Sequence, residues 1–452
     1  MRRISLALVP VAGTLLGALA APVLAQQAPA ATPRPPDKPP IAHGWIDIAT
    51  FSSPGMPGGM AGMMSGMGGG GEGAGSMPLS ALFGGKSSNQ FGHTKWGGSG
   101  SFVDVTLRTS RNPNLTEATQ AVPEATRLAP TLKLKVLPQA KPAPTERGDE
   151  PIEPAEPPKA RIKLYWGCGT TIRPGQPKVL DFETATVQQL GEIFRGRRAT
   201  QRGTHSAAGR PVWPNLEDKR MVPDGSSFVG QHVFTGEGVP ESFKFNIPPP
   251  QDIMAPIALQ QSQADGVTQL RWPVVPNARA YFIAAMGGKG DESGAAEMTL
   301  WTSSELPDSG FGLVDYQTNK SVDQWLKDKV LLQPTATSCD IPKGVFGEGE
   351  SMGGMLRMIA YGTELNLAYP PRPTDPKIQY EPDWALKIRV KSVAMAMLGM
   401  PSMDGAEGTD EVGDAAAEPQ DPSQPAGEQP QKKKKKFGLK DALEAVKDTV
   451  SH

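Results

Sequence analysis

The sequence predicts an all-β fold: two β-sandwich-like domains with long disordered insertions and a short amphipathic helix at the C-terminus. Three observations lead there. Short runs alternate apolar and polar residues with period two, as half-buried strands do. Gly (51) and Pro (46) in 452 residues exceed the usual share of roughly 12%, and they cluster between those runs. Two stretches, near 187–194 and within 437–452, carry helical spacing instead.

Arg2 and Arg3 precede an apolar run from Ile4 to about Ala21, and Val23 and Ala25 place a cleavage site before Gln26. Residues 1–25 are expected to be a signal peptide cleaved after Ala25, leaving a periplasmic or secreted chain. Pro10 and the short apolar length argue against a permanent membrane helix. Residues 26–40, "QQAPAATPRPPDKPP", form a Pro-rich linker.

An N-terminal β domain is expected over 41–251. In "HGWIDIATF", Trp45, Asp47 and Ala49 alternate with Ile46, Ile48 and Thr50, and the same rhythm in "GSFVDVTLRTS" makes it the partner strand. A Gly/Met-rich loop, 54–78, runs between them, and a Pro/acidic loop, 138–160, interrupts the domain again. "RIKLYWGCG" and "KVLDFET" read as strands about a turn at Pro174 and Gly175, "TVQQLGEIFRG" as a helix, and "HVFTG" and "ESFKFNIPPP" as strands.

From 252 to 400 seven short strands, punctuated by Gly and Pro, predict a sandwich. "LRWPVVPNARAYFIAA" resembles the second and third strands of a fibronectin type III module, with Trp272 as the core tryptophan and Tyr281 as the strand-C aromatic. "IAYGTEL" resembles the later strand that carries a Tyr, here Tyr361. The resemblance covers about a third of the chain and implies an Ig-like spacer or interaction module. The chain departs from that family in its wider strand spacing and in lacking a cell-attachment tripeptide. The order of "WIDIAT", the Gly/Met loop, "YWGCG", "SSFVGQHVF" and the sandwich resembles exported proteins of Gram-negative bacteria. That second resemblance implies location and architecture and carries no activity with it.

A formal charge of −1 implies no nucleic-acid partner. Cys168 and Cys339 are either bridged, as an oxidising compartment permits, or two small buried hydrophobes. Their places in different expected domains favour free thiols. "GESMG", Gly349 to Gly353, fits the G-x-S-x-G pattern, but no helical pattern follows Ser351 and the one later histidine is His452. The match is therefore rejected, and no enzyme and no cofactor are expected. The five histidines show no ligand spacing.

Met56, Met60, Met63, Met64 and Met67 are the candidate metal ligands, since converging thioethers hold Cu(I) or Ag(I). The alternative is an adaptable Gly-rich loop without metal, because no His or Cys interleaves. A carbohydrate-binding reading rests on the eight tryptophans. Trp45 and Trp166 are expected among apolar strand neighbours and Trp272 in the core, which leaves Trp213 and Trp325 as surface candidates.

Residues 401–436 are expected to be disordered, acidic first and Lys-rich after. Lys432, Lys433, Lys434, Lys435 and Lys436 then precede a helix over 437–452 with Leu439, Leu443 and Val446 on one stripe. That combination suits a peripheral membrane or partner contact. Taken together, the sequence predicts an exported, non-catalytic cell-envelope binding or structural protein. Its partner is an unknown envelope protein or glycan, with soft-metal binding and carbohydrate binding as alternatives.

Overall fold

The computed structural model describes residues 36–54, 89–138, 160–186, 188–189, 191, 196–199, 203–290, 296–347, 354–375 and 377–398. The expected signal peptide, most of the Pro-rich linker and of both long loops, the helix near 187–194 and the whole C-terminal tail lie outside them, wholly or nearly so. The strands in chain order begin with β1 (Ala42–Ser52), β2 (Gly100–Thr109), β3 (Glu117–Ala121), β4 (Thr131–Lys135), β5 (Ala160–Trp166) and β6 (Lys178–Asp181). They continue with β7 (Val212–Trp213), β8 (Gly230–Gly236), β9 (Lys244–Ile247), β10 (Gln260–Ala264), β11 (Val267–Arg271) and β12 (Ala280–Gly290). The last are β13 (Ala296–Thr302), β14 (Ser338–Ile341), β15 (Met355–Tyr361), β16 (Leu365–Tyr369) and β17 (Trp384–Met397). Two α-helices lie wholly among the described residues, α1 (His93–Trp96) and α2 (Asn319–Lys327), and Gln188, Gln189 and Gly191 are helical within the stretch expected as a helix.

Fourteen strands form one mixed sheet in the order β6-β5-β13-β12-β15-β17-β1-β2-β7-β4-β3-β8-β9, with β16 paired to β17 off this path. Strands β10, β11 and β14 form a separate small sheet. The expected partnership of β1 and β2 is present and is antiparallel, with Asp47 opposite Asp104. On its other edge β1 pairs β17 in parallel, from Ala42 against Trp384 to Ser52 against Ala394. Both are central strands covered on both faces, which is why both are buried along nearly their whole length.

The boundary expected at 251/252 is not a break in this sheet. Besides the β1–β17 seam, β5 from the first segment pairs β13 from the second in parallel. Alternation within a strand reports which residues face inward; it does not name the neighbouring strand. Two segments with separate strand patterns can therefore share one sheet.

The sheet has an apolar core on each side. One gathers Leu270, Trp272, Cys339 and Ile341 of the small-sheet region with Tyr281, Ile283, Leu356, Met358, Ile388 and Val390 of the large sheet. The other packs Phe51, Phe102, Phe282, Ile359, Val393 and Met395 beneath Val322 and Trp325 of α2. Helix α2 starts where the Thr318 hydroxyl accepts from the Ser321 N–H, and it buries one stripe at i, i+3.

Cys168 and Cys339 are bridged, with Cα atoms 5.2 Å apart. The β5–β13 pairing brings the end of β5 to the small sheet, where the Gly169 N–H donates to the Asp340 carbonyl at 2.9 Å. Partners expected to sit in separate domains are thus neighbours.

Trp272 and Tyr281 meet edge to face with ring centres 5.7 Å apart, both buried, and the Val275 N–H donates to the Tyr281 hydroxyl at 2.8 Å. Among the described residues the indole N–H of Trp272 has no partner, so truncation loses packing alone. Trp272→Ala is expected to cost about 3 kcal/mol, the low end for a buried Trp, measurable by urea unfolding. A loss below about 1 kcal/mol would mean that the ring is not a core anchor.

Candidate functional site

One face of β17, β1 and β2 carries a row of ionisable side chains where the other face is apolar. Asp47 lies in register with Arg389 on β17 and with Asp104 on β2. Arg389 donates from Nε to Asp47 Oδ1 and from Nη2 to Oδ2, both at 2.6 Å, and the two side chains are only 4% and 1% exposed. Thr204 donates its N–H (3.0 Å) and hydroxyl (2.6 Å) to Oδ2. Burial pushes the Asp47 carboxyl up, but the Arg389 charge and these donors outweigh it and hold its pKa low. Gly203 seals the pair: a Cβ there would fall 1.7 Å from Arg389 Nη2.

Further along the face, the Arg389 guanidinium lies 4.3 Å and Lys391 Nζ 4.2 Å from the ring centre of Tyr316, whose hydroxyl donates to the Ile48 carbonyl at 2.9 Å. Lys391 also donates to Asp315 at 2.7 Å. Burial lowers the Lys391 pKa to about 8, against the opposing pull of Asp315. Arg357 on β15 ends the row, donating to the Lys95 carbonyl at 3.3 Å and lying 4.7 Å from the Trp96 ring centre.

Asp104 behaves oppositely to Asp47. It accepts from the N–H groups of Gly92 and Thr94 (2.9 and 3.3 Å) and from the Thr94 hydroxyl, which pins α1 to β2. Among the described residues it has no cation of its own, and burial, aided by the Asp47 charge, raises its pKa to about 7. A folded-state pKa above the ordinary 3.8 means stability that is full below that value and lost as pH rises through about 7. Asp104→Asn should therefore gain on the wild type between pH 4.5 and pH 7.5, by at most about 1.4 kcal/mol per pH unit. Urea unfolding at the two values checks this; a gap independent of pH would place the Asp104 carboxyl in contact with water.

At the outer end of the same row lies Trp45. His43 stacks on it with ring centres 3.8 Å apart and planes 8° from parallel. The guanidinium carbons of Arg210 and Arg108 lie 4.9 and 5.8 Å from its ring centre, and His205 meets it edge-on at 6.0 Å. Register explains the gathering: Arg108 is opposite His43 on β2, and Lys387 is beside Trp45 on β17. Arg210 arrives on a tight turn closed by the Ala207–Arg210 bridge, where Gly209 takes φ 67°. Burial and then the charges of Arg108, Lys387 and Arg210 push the His43 pKa down to about 4. Trp45, expected among apolar strand neighbours, is instead ringed by cations and imidazoles.

Other expected site residues fare differently. Met56, Met60, Met63, Met64 and Met67, Ser351, and the tail residues Lys432 to Lys436, Leu439, Leu443 and Val446 lie outside the described residues. Trp213 and Trp325 are corrections: both are buried rather than on the surface. Trp213 is fully enclosed and donates to Asp218 at 2.9 Å, and Trp325 sits on the inner stripe of α2. Sequence spacing could not show this, because each faces a core assembled from distant strands.

Among the described residues no group of three or more His, Cys, Asp or Glu is placed to hold a metal ion, and no helix is long and apolar enough to cross a membrane. No protein-family model, curated protein or solved structure matches the chain.

Proposed function

We propose that the chain is an exported, non-catalytic binding or structural protein of the cell envelope, built on a fibronectin type III-like sandwich over residues 252–400. The observation that carries this reading is the Cys168–Cys339 bridge, which belongs to an oxidising compartment and which ties the small sheet to the end of β5. The sandwich reading is supported by the partition of strands. Within 252–400 the first, second and fifth strands (β10, β11, β14) share one sheet, while β12, β15 and β17 share the other, the division found in Ig-like sandwiches. A scaffold rather than an enzyme is supported by where the buried charges are spent. Asp47 is committed to Arg389 and Thr204, and Lys391 to Asp315.

The test is expression of the full sequence in a Gram-negative host, followed by fractionation and thiol alkylation with and without reductant. The processed chain should leave the cytoplasm with both cysteines blocked until reduced, and it should sediment with isolated envelopes. Cytoplasmic retention with two alkylatable thiols would sink the reading. Repeating the sedimentation without residues 432–452 measures what the Lys-rich tail contributes to envelope contact.

A further inference from the structure

We propose that the Trp45 surface is a binding site for a tetrahedral oxyanion, a phosphate or sulfate group. The inference goes beyond the envelope reading and stands without it. Four separate parts of the chain bring cations or imidazoles to one indole: His43 from β1, Arg108 from β2, Lys387 from β17, and His205 and Arg210 from the 203–210 segment. Nearby acids are already engaged. Asp47 is held by Arg389, Asp104 accepts from Gly92 and Thr94, and Glu364, just ahead of β16, pairs with Lys387 at 3.4 Å, so that Lys387 adds to the local field while the arginines and imidazoles line the indole. Arg108 is exposed and has no hydrogen bond or ion pair among the described residues; its interactions are with the Trp45 ring and the His43 imidazole.

The indole itself is only 6% exposed, so it offers no face on which a sugar could stack. Its role is to hold the donors. A cation lying on an aromatic ring has lost much of its rotamer freedom before a ligand arrives. The groups come from three strands and from the 203–210 segment rather than from one planar fork. That arrangement suits an oxyanion with acceptors on every side better than a flat carboxylate. An anion here also changes the charge state of His43. With Arg108, Lys387 and Arg210 around it the free imidazole is neutral near pH 7, and a bound dianion offsets those charges and favours its protonation.

The experiment uses the oxidised full chain at constant ionic strength, titrated with inorganic sulfate, which stays dianionic throughout, with inorganic phosphate and with acetate. The readouts are calorimetry and the His43 ring proton resonances, assigned with H43Q. Saturable binding should move the His43 resonances and raise the pH at which that ring titrates. R108Q should weaken sulfate binding about tenfold, with R108K retaining most of it, and thermal stability should be unchanged because Arg108 is exposed. Acetate should bind at least about tenfold more weakly than sulfate. Phosphatidic-acid vesicles separate two sources of the group: sedimentation abolished by R108Q assigns it to a lipid, and phosphate binding without sedimentation to a soluble molecule. Failure of sulfate and phosphate to move the His43 resonances, equal affinity in R108Q, or equal affinity for acetate would each overturn the proposal.

Discussion

Replacing Asp47 with Ala is expected to cost about 3–5 kcal/mol, because it strands Arg389 as an unpaired buried cation. The guanidinium has nowhere to go. Tyr316 lies on one side at 4.3 Å, and Gly203 leaves less than a methyl group of space over Nη2. A water in the space left by the carboxylate would bond Thr204 and the guanidinium but, being neutral, would not offset the buried charge. Removing both charges at once, as Asp47→Leu with Arg389→Met, should be near neutral or stabilising, since the desolvation penalty disappears with the attraction. A double-mutant cycle by urea unfolding measures the difference. A cost below about 1 kcal/mol for Asp47→Ala would put the pair in contact with solvent. The Asp47 pKa is held low, so its contribution is present above the ordinary 3.8 and fades as pH falls through the folded value.

Breaking the disulfide should be comparably severe. The bridge spans 171 residues, and the chain-entropy relation gives about 5 kcal/mol for closing such a loop, as an upper value. Cys168→Ser, Cys339→Ser and the double variant should lose the same amount, and dithiothreitol should bring the wild type to that level. The folded form itself should change little, because the β11–β14 and β5–β13 ladders remain in place without the S–S bond. Single variants that differ by more than about 1 kcal/mol would point to local packing at Cys339 rather than to the constraint on the unfolded chain.

Local order was largely legible from the residues. The alternation in "HGWIDIATF" and "GSFVDVTLRTS" identifies β1 and β2 as half-buried strands, and the partnership expected of them is present in the structure. Trp272 and Tyr281 read correctly as buried. What could not be read is the choice of distant neighbour. Nothing in β1 specifies that its parallel partner is "WALKIRVKSVAMAM", and nothing in β5 names β13. The site was hidden for the same reason. In isolation the charges of Asp47, Arg389 and Lys391 look like the wet half of two alternating strands. They become a buried row only when those strands meet and the 203–213 and 315–316 segments cover them. A faint signal existed, since single charges recur at alternate positions in strands otherwise rich in Val and Ile. Trp45 gave none, as every group around it except His43 comes from another part of the chain.

The β1–β17 seam also sets a clock. Asp47 and Arg389 are separated by 342 positions, so β1 stands beside β2 with its other edge unpaired until nearly all of the described chain exists. At about 5–20 residues per second of synthesis, that interval is roughly 20 seconds to a minute. The central sheet is then zipped last, by the two most widely separated of its strands, which makes for slow folding. A chain truncated ahead of Trp384 would have no strand for that edge and should be captured by chaperones or proteases rather than accumulate. Under the export proposed above, such a delay would keep the chain threadable until its last strand has left the ribosome.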